Sequence, residues 1–217
     1  MFRSYILVAL RNLWRNRGYA IINISGLAIG LCTSIFIFLY VINELSYDRF
    51  HEKSDRIYKA WVSGMMPTGE MHDAITAGPM AAAMLADYPE IEQAVRIRPL
   101  GGWLVRSGDR VFTETEKDFL FADSTFFDVF SFKLLKGDPK TCLKEPRSIV
   151  LTEEYAKKYF GNEDPVGRTL EIEQDTNVSV ITGVMQNFPE NSHLQCKMIG
   201  TLSTYPENGD ALNWVNQ

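Results

Sequence analysis

AIINISGLAIGLCTSIFIFLYVI, residues 20–42, runs for 23 positions without a charged side chain. Seventeen of these residues are apolar, and the other six (Asn23, Ser25, Gly26, Gly30, Thr33 and Ser34) are small or neutral. A helix rising about 1.5 Å per residue carries this stretch over about 34 Å, enough to cross a hydrocarbon core about 30 Å thick with some tilt. A cleaved export signal fits less well. The apolar core is longer than the roughly 7–15 residues of such signals, and no small-x-small site follows it. Lipid attachment at Cys32 is disfavoured by Leu31, which stands where a small residue would be needed. Residues 20–43 are therefore expected to form an uncleaved transmembrane helix.

The charges on either side give that helix a direction. All 27 Asp and Glu lie beyond Ile42, the first being Glu44, whereas Arg3, Arg11, Arg15 and Arg17 precede the span with no acid among them. Arginine at the centre of a membrane helix costs roughly 2.5–3.5 kcal/mol, so the basic end stays where it was made. The amino terminus is expected in the cytoplasm, with residues 44–217 exported. The mean hydropathy of −0.12 averages two unlike parts.

Residues 1–19 have the spacing of an amphipathic helix. Phe2, Ile6, Ala9, Leu10, Leu13 and Trp14 fall on one face, and Arg3, Ser4, Arg11, Asn12 and Arg15 on the other. Such a helix lies in the headgroup region on the cytoplasmic side, with Trp14 and Tyr19 at interface depth. Within the span, Gly26, Gly30 and Ser34 recur at i, i+4, i+8 and form a small-residue stripe for packing against another membrane helix.

The exported part reads as a mixed α/β domain, giving an α+β protein with one N-terminal transmembrane helix. Its composition, with 46% hydrophobic residues and 3 Cys in the whole chain, excludes a disordered tail and a disulfide-stapled mini-protein. Strands are expected over 56–64 and 91–98, with a short helix opening at Gly78-Pro79 and closing before Pro89. Residues 103–107 and 110–114 flank Gly108-Asp109 as a hairpin. Asp123 or Ser124 can cap a short aromatic helix, TFFDVF, and Gly137-Asp138-Pro139 makes the next turn. RSIVL (147–151) is a strand, and Thr152 caps the following helix. Glu153 and Glu154 suit that helix's first turn, Lys157 and Lys158 its last, and Gly161 its end. Residues 168–173 and 178–185 pair through the turn Gln174–Asn177, with Val178, Val180, Thr182 and Val184 on one face.

No catalytic or cofactor-binding residue can be assigned. The phosphate loop GxxxxGK[ST] and the motifs HExxH, CxxC and GxSxG are all missing. His51, His72 and His193 lack metal-ligand spacing and read as surface or turn residues. Met65, Met66, Met71 and His72 are soft ligands of the kind that hold Cu(I), but Met80 and Met84 continue the run at helical spacing, which favours packing. Cys142 and Cys196 share the exported domain, where a disulfide could form. The acid excess after Ile42 argues against nucleic acid as a partner.

Three stretches beyond the apolar span carry a family resemblance, and the opening RNLWRNRGYAIINISGLAIGLC (11–32) also looks like the N-terminus of the same family. NELSYDRFHEKSDRIYKAW (43–61) resembles the membrane-exit signature of MacB-type, FtsX-like ABC transporter permeases. FFDVFSFKLLKGDPKTCLKEPRSIVLTEEYAKKYFGNEDPVGRTLEI (126–172) and VITGVMQNFPENSHLQCKMI (180–199) are similar to the periplasmic core domain of the same family. The resemblance implies a non-catalytic permease in a bacterial inner membrane, paired with a cytoplasmic ABC ATPase. Homo- or heterodimers and a further periplasmic or outer-membrane partner are also implied. Nucleotide-driven closure would be relayed through the membrane helices to the periplasmic domain, which moves or releases substrate. Members have at least four spans and a cytoplasmic coupling loop, whereas this sequence offers one span. The expectation is therefore an anchor plus most of a periplasmic core (44–217), incomplete at its C-terminus. The alternative is a single-span receptor or adaptor that binds an extracytoplasmic ligand.

Overall fold

The computed structural model describes residues 2–66, 69–73, 76–99, 102–115, 117–172 and 178–204. The turn Gln174–Asn177 and the side chains of Met65, Met66, Met71 and His72 lie outside the described residues. The chain divides into two compact units, Met1–Tyr47 and Asp48–Gln217.

The first unit is two helices, α1 (Phe2–Arg15) and α2 (Arg17–Leu45). They meet at Asn16, whose φ of −111° and ψ of 41° leave the helical region. Backbone bonds still run through the break, from Asn16 N–H to Asn12 O and from Ala20 N–H to Asn16 O, both 3.0 Å. At 29 residues α2 is about 43 Å long, sufficient to cross a membrane by length and composition. None of its side chains is buried. Its serine and threonine hydroxyls are satisfied within the helix: Ser25 donates to Ile22 O, Thr33 to Ile29 O and Ser34 to Gly30 O, at 2.8–3.1 Å. Internal satisfaction of this kind lets polar side chains sit in an apolar surrounding without loss.

The second unit is built on a mixed sheet. A separate antiparallel hairpin, β1 (Val62–Met66) and β2 (Gly69–Asp73), and helix α3 (Met80–Asp87) come first in the chain. The sheet strands are β3 (Ile97–Pro99), β4 (Trp103–Ser107), β5 (Arg110–Glu114), β6 (Phe119–Ala122), β7 (Leu134–Lys136), β8 (Ser148–Thr152), β9 (Thr169–Ile172), β10 (Val178–Met185) and β11 (Met198–Thr201), with helices α4 (Phe126–Val129) and α5 (Glu153–Phe160) between them. Among the described residues the order is β3-β6-β11-β8-β10-β9-β4-β5, with β7 paired to β10. β8 runs parallel to β10 and β6 parallel to β11; the other pairs are antiparallel.

Every residue of β6, β8 and β11 is buried, which is why FLFA, SIVLT and MIGT read as continuous apolar runs rather than alternating ones. Alternate residues feed two cores. Phe119, Phe121, Ile149, Leu151 and Met198 join Tyr155 and Tyr159 of α5. Leu120, Ala122, Val150 and Ile199 join Phe126, Phe132, Leu143 and both Cys142 and Cys196.

Four expectations change. The strand expected at 56–64 begins only at Val62, because Ser54–Arg56 forms a 3-10 turn. The strand at 91–98 shrinks to Ile97–Pro99, since its earlier backbone is taken by side chains. Arg96 N–H donates to Asp123 Oδ2 at 2.8 Å, and Ala94 O accepts from Thr125 Oγ1 at 2.7 Å. Asp123 consequently does not cap α4: its carboxylate holds the Arg96 guanidinium at 2.9–3.0 Å, and Thr125 occupies the cap position. In β10, Ser179 and Ile181 are buried whereas Val178 and Val180 are exposed, the reverse of the expected face. A register shift against β8 between Ile181 and Gly183 changes the parity, so that Val184 is buried while Val180 is not.

Candidate functional site

Three residues beyond the end of α2, the chain turns into the second unit and is fastened there. Asp48 adopts a φ of 56°, uncommon for a residue with a side chain, which reverses the backbone at this point. Its N–H donates to Asn191 O at 2.9 Å. Its carboxylate accepts from His193 N–H at 3.0 Å, and His193 Nδ1 lies 2.7 Å from the second oxygen. Residues 48–54 then close on themselves, His51 N–H donating to Asp48 O and Ser54 N–H to His51 O.

His51 is the buried end of this strap, 4% exposed. Its Nδ1 accepts from Ser131 N–H at 3.1 Å, which requires the neutral ring with its proton on Nε2. Phe50, Phe132 and Phe130 surround it, with ring centroids 4.1, 5.0 and 5.3 Å away. Phe132 in turn packs on Phe188 at 4.4 Å and stacks on Phe126. Two further bonds complete the fastening: Glu52 N–H to Ser131 Oγ at 3.0 Å, and Lys53 Nζ to Asp128 O at 3.4 Å. The three stretches beyond the span that carry the family resemblance therefore meet here, through residues 48–54, 126–132 and 188–193.

The electrostatics follow the packing. Burial pushes the His51 ring below the ordinary histidine range, opposed by Asp48. Partial burial would raise Asp48, but hydrogen bonds from the backbone N–H and ring of His193 outweigh it, and the carboxyl falls below its usual range. His51 lies in a turn, as expected, but is buried there, enclosed by its neighbour Phe50 and by Phe130 and Phe132 from the segment of Ser131, 80 positions away. His193 is exposed as expected.

A second buried polar group was not legible in the sequence. Glu114, 3% exposed, accepts from Tyr155 Oη (2.6 Å), Tyr159 Oη (2.7 Å) and Lys158 Nζ (2.7 Å). Burial first, and Glu114 second, hold both tyrosine hydroxyls above their ordinary range, so they remain donors. Lys158 also lies 4.1 Å from the Tyr155 ring centroid. This network joins α5 to the end of β5 and lies inside the protein. A groove of about 470 Å³ beside it is lined by Arg110, Arg168 and Glu163. The two arginines already have partners there, Arg110 in Tyr159 O and Arg168 in Glu163.

Cys142 and Cys196 are free, buried thiols; burial pushes Cys142 up to about 11 and raises Cys196 as well, so neither is a ready nucleophile. Among the described residues no three His, Cys, Asp or Glu side chains group to hold a metal. Gly26, Gly30 and Ser34 recur along α2, and a Cβ added at either glycine meets nothing within 4 Å.

Comparison with known proteins follows the same outline. A domain of a permease protein from Porphyromonas gingivalis has a TM-score of 0.60 at 24% identity, over 68% of this chain and 61% of that one. The periplasmic region of MacB from Actinobacillus actinomycetemcomitans gives 0.48 at 20%, covering 62% and 61%. The extracellular domain of the noncanonic ABC-type transporter YknZ from Gram-positive bacteria gives 0.43 at 16%, covering 57% and 62%. The chain thus spans about three fifths of the length of these solved chains. No curated protein matches it. The family model of the MacB-like periplasmic core domain matches residues 20–212, the whole of the described sheet and α2 from Ala20 onward, and the chain belongs to that family.

Proposed function

We propose that this chain is part of the permease subunit of a MacB/FtsX-type ABC transporter, relaying ATP hydrolysis by a cytoplasmic partner to a domain outside the membrane that moves or releases substrate. Residues 1–19 would lie on the cytoplasmic face, 20–43 would cross the inner membrane with the N-terminus inside, and 44–217 would be periplasmic. Gly26, Gly30 and Ser34 would pack against helices of the same or a second permease. Bond chemistry belongs to the ATPase, and the permease supplies the mechanical connection.

The observation that carries this reading is the strap at 48–54. A domain that only needed tethering could follow a flexible linker. Here the segment immediately after α2 is held by bonds to positions 79, 80 and 145 residues away in sequence. Movement of the strap is therefore delivered to α4, to the α4–β7 connection and to the connection between β10 and β11 together.

Two measurements test the proposal. Protease added to intact spheroplasts should cut the 44–217 region, and affinity purification of the tagged gene product from its native membrane should recover an ABC ATPase. Protection of that region from external protease would overturn the orientation, and recovery without any ATPase would overturn the transporter role.

A further inference from the structure

His51 fastens the strap in a manner that works in only one protonation state. Its Nδ1 is an acceptor for Ser131 N–H at 3.1 Å, and an imidazolium has no lone pair to offer there. The ring is also enclosed by Phe50, Phe130 and Phe132, which provide little compensation for a buried charge. We propose that the strap is a proton-operated latch: acidification outside the membrane protonates His51, breaks its bond to Ser131 and frees the buried end of residues 48–54, while Asp48 stays held.

The surroundings of His51 give each element a defined part. From its own segment the charged group acting on the ring is Asp48, which favours protonation but is outweighed by burial. Lys53, two residues on, directs its ammonium to Asp128 O. From the α4–β7 segment the ring meets phenylalanines and the Ser131 amide. From the β10–β11 connection, Phe188 packs behind Phe132, and His193 engages Asp48 rather than His51. Asp48 keeps its carboxylate ionised below the ordinary carboxylate range, held by the backbone N–H and ring of His193. Acid therefore loosens the His51 end of the strap while the Asp48 end stays bonded to Asn191 and His193, so that it pivots about Asp48 instead of detaching.

The inference rests on the proposed coupling role only for its purpose. The latch itself can be measured directly by amide hydrogen exchange on the full chain in lipid nanodiscs between pH 8 and pH 5, corrected for intrinsic exchange rates. Peptides covering 48–54 and 126–132 should lose protection by about tenfold per pH unit below pH 6.5, the slope of one linked proton, while β8 (Ser148–Thr152) keeps its own. His51→Gln, which can still accept from Ser131 N–H but does not titrate, should remove that slope. If the variant fails to fold, ring nitrogen shifts of His51 in the wild-type chain serve instead, and protonation should coincide with loss of protection. Protection unchanged to pH 5, persistence of the same slope in His51→Gln, or ring titration separate from strap opening would each overturn the latch. None of these readouts involves an ATPase, so the latch and the transporter role can fail independently.

Discussion

Glu114 shows how much a single buried side chain can organise. Its carboxylate is the shared acceptor for two tyrosine hydroxyls and an ammonium, which recur at i, i+3 and i+4 along α5. Glu114→Ala would leave buried donors without an acceptor and should lower unfolding stability by about 2–4 kcal/mol, read by urea denaturation. Glu114→Gln keeps one acceptor oxygen and should lose markedly less. Gly137 is constrained in a different way. Its φ is 95°, and an added Cβ would stand 2.5 Å from Thr182 O and 3.0 Å from Gly183 Cα, both backbone atoms that cannot rotate away. Gly137→Ala is expected to cost more than about 2 kcal/mol, since strained backbone and overlap act together; a melting temperature within error of the parent would contradict this.

At the level of elements, legibility tracked how local the determinants were. The hairpin β4–β5 lies where Gly108-Asp109 placed it, because Gly108 takes a φ of 59°, which the first position of a two-residue turn demands. Helix α5 was equally readable: Thr152 Oγ1 accepts from Tyr155 N–H, the acids sit in the first turn and the lysines in the last. Gly161 ends it with a positive φ, although its ψ of −118° lies outside the usual left-handed cap. Thr152→Ala should therefore cost about 1 kcal/mol and raise amide exchange in the first turn of α5. The face of β10 was not readable, because the register shift near Thr182 arises from pairing with β8, a strand 30 residues away in sequence. In α2, enlarging the small-residue stripe with Gly30→Leu should weaken association with other membrane helices, measured by energy transfer between labelled chains in vesicles. The melting of the 48–217 unit should stay unchanged, because Gly30 lies in the other unit.

For the whole molecule, the clearest prediction concerns pH. The neutral His51 of the folded protein binds fewer protons than the unfolded chain once pH falls below the ordinary value of 6.5, so stability should decline from there downward. Asp48 adds stability that is complete above its ordinary 3.8 and is lost only as pH falls through its still lower folded value. Denaturation midpoints should thus fall between pH 7 and pH 5, and less so in His51→Gln. The broad plan, one apolar helix followed by an α/β domain, was evident in the charge distribution, since Glu44 is the first acid and no base enters the span. The meeting of 48–54, 126–132 and 188–193 was not, because no periodicity or turn signal reports which distant segments share a surface. Only the family resemblance had marked those stretches, and it did so without indicating that they touch.

A pull applied at Asp48 meets the anchors of the strap in sequence. The β10–β11 connection bears the load first, through Asn191 and His193, and the α4–β7 segment bears it afterwards, through Ser131 and Asp128. Stretched from its N-terminal end, the domain would therefore give way in steps, with the Asp48 anchorage setting the force of the first.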